Sequence, residues 1–257
     1  MNIVRIWAIA TNGFQETIRD RVLYLIGFFA LLLAIALRLL PEIAATTENK
    51  IFLDLGLAAI ALLSAVVAIF VGTGLINKEI EKRTVLVLIP KPISRAEFII
   101  GKHLGLAGVL VVLVTVMTLI YFGLLVWGQI TFPLGSIVVS MVYLFLELIL
   151  LVAAAIVFGV FTSSLLATLL TFGIYLMGHF SRDLVELGNL SENESIQFFT
   201  SGLYLVLPDL SRLNLRNEAV YGLLPPVPDL LGDALYGLVY TVVLLAIAIV
   251  IFSRRQF

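Results

Sequence analysis

From Leu134 to Phe180 the chain carries one residue among Asp, Glu, Lys and Arg, Glu147. At about 1.5 Å of rise per residue, a helix of that length is far too long for a single crossing of a ~30 Å hydrocarbon core. The run must therefore turn inside itself, and its one polar break is Thr162-Ser163-Ser164. The spacing predicts two crossings, Leu134–Thr162 and Leu165–Phe180. The second has only about 16 residues and should sit against protein instead of lipid.

The rest of the chain follows the same pattern. Hydrophobic residues make up 61% of its 257 residues and charged residues 13%. That is about half the ~25% charged content of a soluble domain. Further spans are expected at Val22–Leu40, Leu53–Ile76, Leu104–Trp127 and Ala234–Phe252. The predicted fold class is an all-α integral membrane protein with six transmembrane helices, forming one transmembrane domain over residues 1–257. No soluble domain of normal size fits beside six crossings. With no cysteine, the chain has no disulfide, thiolate metal site or thiol nucleophile.

Residues 1–21 do not read as a cleavable signal, because Arg5, Glu16, Arg19, Asp20 and Arg21 interrupt the apolar pattern. At 100° per residue, Ile3, Trp7, Ala10, Phe14 and Ile18 share one face, and Arg5, Asn12, Glu16 and Arg19 the other. This pattern predicts an amphipathic helix in the interface plane, its apolar side against the acyl boundary. The alternative is a simple lead into the first span.

Six crossings place both termini on one side. That side holds eleven of the Lys and Arg residues, and the other holds five: Arg38, Lys50, Arg182, Arg212 and Arg216. By the positive-inside rule, both termini and the segment 77–102 are cytoplasmic. On the opposite side lies one sizeable region, 181–233. Within it, Ile196–Leu207 is an apolar run too short to span, flanked by Glu192, Glu194 and Asp209, which read as solvated. It is expected to re-enter the membrane without crossing, with Phe199, Tyr204 and Leu207 as candidate outer-gate residues.

No catalytic pattern emerges. A phosphate-binding loop needs Gly-x4-Gly-Lys-Ser/Thr, whereas Gly101-Lys102 is followed by His103 and preceded by Ala96 at the first glycine position. ATP and Mg, if used, belong to another polypeptide, so no catalytic, cofactor or metal residue is assigned. His103 and His179 are expected roughly a bilayer apart and unable to share an ion. Glu147 is the notable group, since a mid-span carboxyl is costly and functional by default. Glu147, Tyr175 and His179 are candidates for a translocation path or a buried polar contact. For Glu147 the favoured reading is a structural hydrogen bond, for example to a hydroxyl.

The segment between the second and third spans is densely charged: Asn77-Lys78-Glu79-Ile80-Glu81-Lys82-Arg83-Thr84, then Pro90-Lys91-Pro92-Ile93-Ser94-Arg95-Ala96-Glu97, ending at Gly101-Lys102. A short coupling helix is expected there along the membrane surface, broken by Pro90 and Pro92, and Arg83, Lys91, Arg95, Glu79, Glu81 and Glu97 can meet charges on a soluble partner. This pattern resembles the coupling segment of ABC type-2 transporter permeases. The order of features also fits: an amphipathic leading helix, two spans, the charged segment, three spans, an outer region and a last span. Pro208-Asp209-Leu210-Ser211-Arg212-Leu213-Asn214 and the closing Phe252-Ser253-Arg254-Arg255-Gln256-Phe257 are similar to the branch that includes permeases for multicopper-enzyme maturation.

The resemblance implies a permease subunit that moves a substrate, with export the favoured direction, using ATP hydrolysed by a separate ATP-binding subunit. It implies a second permease subunit, identical or homologous, a prokaryotic cytoplasmic membrane and no nucleic acid. ATPase coupling would fall to Glu79, Glu81, Arg83, Thr84, Ser94 and Arg95. The alternatives are a non-transporting anchor or assembly subunit, and an ATP-independent carrier, which would want discontinuous helices or several mid-membrane charges.

Overall fold

The computed structural model describes residues 2–18, 23–43, 47–81, 94–191 and 193–254. Among them the regular elements are all helical: α1 (Ile3–Thr17), α2 (Leu23–Ile43), α3 (Glu48–Glu81), α4 (Arg95–Trp127), α5 (Leu134–Phe161), α6 (Ser164–His179), α7 (Ser181–Leu190), α8 (Glu194–Val206), a 3-10 turn (Leu210–Leu213), α9 (Arg216–Tyr221) and α10 (Val227–Arg254). Five of them, α2, α3, α4, α5 and α10, are long and apolar enough to cross a membrane. A sixth crossing exists if α6 and α7, bent by 66° at their junction, count as one broken span.

The turn expected at Thr162-Ser163-Ser164 is where α5 ends and α6 begins, Thr162 closing one helix and Ser163 opening the next. Other boundaries differ from the hydropathy reading. α3 starts at Glu48 instead of Leu53, and α4 at Arg95 instead of Leu104. At 34 and 33 residues, each is about 50 Å long and overshoots the ~30 Å core. Hydropathy marks where lipid begins, whereas a helix ends where its backbone is capped. For α4 that cap is a capping box. The Ser94 hydroxyl accepts from the Glu97 amide (3.1 Å), and the Glu97 carboxylate accepts from the Ser94 amide (2.9 Å).

α5 is the central post. Every residue from Glu147 to Val157 is buried, as expected of a helix apolar on all sides. Helices gain no hydrophobic energy by meeting each other in lipid, so close contact must come from small residues. A Cβ on Gly72 of α3 would lie 3.0 Å from Ala155 Cβ, and one on Gly159 of α5 would lie 3.3 Å from the Thr73 carbonyl oxygen. On the other side of α3, Tyr121 of α4 fills the space over Gly56 and its hydroxyl donates to the Leu53 carbonyl (3.0 Å).

α1 is not held by its apolar face alone. It runs alongside α4: Asn2 meets Glu97, Ile9 meets Gly101, Ala10 meets Gly105 and Phe14 meets Gly108. The glycines at 101, 105 and 108 form a stripe that lets the two backbones approach. Ala10, expected on the lipid face, is buried against α4 with Gly13 and Thr17, and Ile3, Val4 and Trp7 are left exposed.

Candidate functional site

Three polar clusters stand out from the apolar bundle. The first gathers the ends of three helices. Besides capping α4, Glu97 Oε1 accepts from the backbone amide of Asn2 (2.6 Å), so one carboxylate holds the starts of α1 and α4 together. Next to it, Arg95 Nη1 donates to the carbonyls of Phe252 (2.7 Å) and Ser253 (2.6 Å). These belong to the last turn of α10, where orphan carbonyls and the negative dipole end attract a cation. The Phe98 and Phe252 rings stack at 5.7 Å beneath this contact. Ser94 and Arg95, candidates for ATPase coupling, thus act first within the chain, as helix cap and helix-end ligand. Of the other four candidates, Glu79 and Glu81 lie in the last turn of α3 with side chains outside the described set. Arg83, Thr84 and the expected coupling helix lie outside the described residues.

The second cluster unites Glu147, Tyr175 and His179. His179 Nε2 lies 3.4 Å from Glu147 Oε1, within ion-pair reach but not aligned as a hydrogen bond. His179 Nδ1 is 2.9 Å from the Tyr175 carbonyl, and the two rings are 4.6 Å apart. The sequence favoured a structural hydrogen bond for Glu147, for example to a hydroxyl, and placed His179 at the outer end of a span, far from His103. In the structure, Glu147 comes fourteen residues before the end of α5, and His179 fifteen after the start of α6. The short α6 therefore ends level with the middle of α5. His103 Nε2 in turn lies 3.0 Å from the Ile149 carbonyl, two residues from Glu147. Both histidines meet the same stretch of α5, and the expected bilayer-wide separation is wrong. The error came from hydropathy edges: α4 begins nine residues before its apolar run, and α6 stops level with the middle of α5. Among the described residues, no three His, Cys, Asp or Glu groups converge to hold a metal ion.

The third cluster fills the depth that α6 leaves open. Residues 208–215 lie beside α5 as non-α-helical chain that includes the 3-10 turn, with Leu210, Leu213 and Leu215 buried against Tyr143 and Leu150. Gly178 admits Pro208 and Leu210, and Gly237 admits Leu213. Irregular backbone at this depth is tolerated because protein surrounds it. Its polar groups are satisfied by Asp209, which accepts from Ser181 Oγ (3.0 Å), Ser211 Oγ (2.5 Å) and Arg212 Nε (3.2 Å). The Asp209 amide donates to Tyr236 Oη (2.8 Å), and Arg212 reaches Asp233 at 3.6 Å. Asp209 is 2% exposed, not solvated as its position beside an apolar run suggested. The signal for this was Asp209 two residues before Ser211, the spacing of a side chain that caps its own turn.

The outer-gate candidates divide. α8 has no buried residue, and it pairs with α7 as a hairpin. Phe199 faces outward at 65% exposure, while Tyr204 and Leu207 are half-buried. Tyr204 Oη accepts from Arg212 at 3.5 Å. The buried part of the region is thus the segment after Ile196–Leu207, not that run itself.

The profile of a family described as "ABC-2 family transporter protein" matches residues 7–257. No curated protein matches the chain. The match takes in every helix from α2 to α10 and most of α1, and the chain belongs to the ABC-2 transporter family.

Proposed function

We propose that the chain is the membrane-spanning permease subunit of an ABC transporter, exporting its substrate with ATP hydrolysed by a separate ATP-binding subunit. It works beside a second permease subunit, identical or homologous, in a prokaryotic cytoplasmic membrane. The observation that carries this reading is family membership over residues 7–257. A second observation supports it: Asn2, Arg95 and Ser253 meet at one end of the bundle. Both termini thus share an end with the charged segment, as eleven-to-five Lys and Arg asymmetry requires of a cytoplasmic face.

In this reading the segment 77–102 receives the ATP-binding subunit through Glu79, Glu81, Arg83 and Thr84. Tyr204 and Leu207 close the outer end of the path. The buried pair Glu147 and His179 at mid-depth is also what an ATP-independent carrier would need, so one test must separate the two. Glu81→Lys reverses one of the proposed contact charges and leaves Arg95 and Glu97 themselves unchanged. It should cost on the order of 2–5 kcal/mol of association if that carboxylate is desolvated at the partner. The measurement is co-purification of the ATP-binding subunit and its vanadate-sensitive ATPase. Full retention of both would remove the coupling role.

A further inference from the structure

We propose that Arg95 and Glu97 are positioning residues that bind the cytoplasmic ends of α1, α4 and α10 into one body, so that force arriving through the charged segment moves all three together. This rests on the permease reading above and adds the route by which motion leaves the ATPase contact. Arg95 and Glu97 lie in the first turn of α4, shortly after the charged residues 77–92 in sequence. Glu97 fastens α1 by the 2.6 Å bond from the Asn2 amide, and α1 is then seated along α4 by the glycine stripe. Arg95 fastens α10 by two bonds of 2.7 and 2.6 Å to Phe252 and Ser253, over the stacked Phe98 and Phe252 rings.

Charge-assisted bonds to backbone ends are short and directional, so they resist sliding of one helix end past another. The contact partners are backbone atoms of α1 and α10, which means that the ends themselves are held and not merely side chains. At this end α10 also packs on α4 through Phe98 and Phe252, and further along it much of its surface is exposed: Val239, Val242, Val243, Ile247 and Val250 all face outward. Without Arg95 the end of α10 would keep its packing but lose the polar contact that fixes its position on α4.

The absence of cysteine makes the test clean. Spin labels are placed in pairs on the complex with its ATP-binding subunit in lipid nanodiscs, and distances are read with and without ATP plus vanadate. The pair Leu104→Cys with Val250→Cys joins α4 to α10, the pair Val4→Cys with Leu104→Cys joins α1 to α4, and Leu104→Cys with Leu169→Cys joins α4 to α6. All four positions are exposed. In the wild-type background, nucleotide should shift the α4–α6 distance and leave the other two unchanged. Arg95→Met should broaden and shift the α4–α10 distance on nucleotide binding while co-purification is retained, and Arg95→Lys should restore it. Glu97→Gln should do the same for the α1–α4 distance, which keeps the test alive if Arg95→Met does not fold. An α4–α10 distance that already moves in the wild type, or that ignores Arg95→Met, overturns this proposal alone. Loss of the ATP-binding subunit in Arg95→Met also overturns it, by making Arg95 an ATPase contact. An α4–α6 distance unmoved by nucleotide sinks the permease reading and this one with it.

Discussion

Two residues show how little room the interior leaves. A Cβ on Gly105 would stand 2.7 Å from the Ala10 carbonyl oxygen, a backbone atom that cannot swing aside. Gly105→Leu should therefore push α1 off α4 and cost about 1–3 kcal/mol, the usual range for overpacking. Gly123→Leu, on the same helix but with nothing within 4 Å, should be near neutral. Thermal unfolding of the two variants in detergent compares them directly, and equal midpoints would refute the contact. Glu147 and His179 form the other case. Each single substitution, Glu147→Gln or His179→Ala, leaves a buried polar group short of its partner, at a cost of roughly 1–3 kcal/mol. The double variant should cost less than the sum by about 0.5–3 kcal/mol. Strict additivity in the same unfolding assay would mean that the 3.4 Å approach carries no energy.

Among the elements, the hairpin of α7 and α8 is the least secured. α8 buries none of its residues, and the hairpin is tied to the body through Ser181 with Asp209, Tyr204 with Arg212 and the Tyr240 hydroxyl bond to the Val206 carbonyl (2.7 Å). Arg212→Ala removes the bond to Tyr204 and the ion pairs to Asp209 and Asp233 together. Amide hydrogen exchange should then accelerate across residues 194–215 and stay unchanged in α5. Unchanged exchange in α8 would show that Arg212 does not anchor it. α6 makes a related point. Its 16 residues make it only about 24 Å long, so the third polar cluster exists because another piece of chain must complete that depth.

For the whole molecule the central expectation is orientation. Single cysteines at Lys91→Cys and Asn193→Cys can be labelled on intact cells with an impermeant maleimide. Position 193 should react before lysis and position 91 only afterwards, because the basic residues collect at the end that carries residues 77–102. The reverse pattern would invert the topology and displace the proposed ATPase contact. The shared end itself does not depend on that outcome, since Asn2 is bonded to Glu97 and Ser253 to Arg95, two residues apart at the start of α4.

Apolar run lengths and charge asymmetry are local sums, and they were legible in the sequence: the helical membrane class, the turn at Thr162 to Ser164, the 16-residue length of α6 and the common end of the termini. The expected seat of α6 against protein is not found, since Leu165, Leu166, Leu169 and Phe172 are exposed and only Ala167, Thr171 and Gly178 are buried. The charged segment and the order of spans were enough to point to the family. Depth and partnership were not legible. Hydropathy locates lipid and not helix ends, so the nine extra residues of α4 and the stop of α6 level with the middle of α5 hid the meeting of Glu147 with His179. Likewise, the charge on Arg95 is equally suited to a soluble partner and to the carbonyls of Phe252 and Ser253. Only packing that brings the end of α10 to the start of α4, residues more than 150 positions apart, selects the second, because a long-range contact is set by which helix faces can approach and no local pattern encodes it.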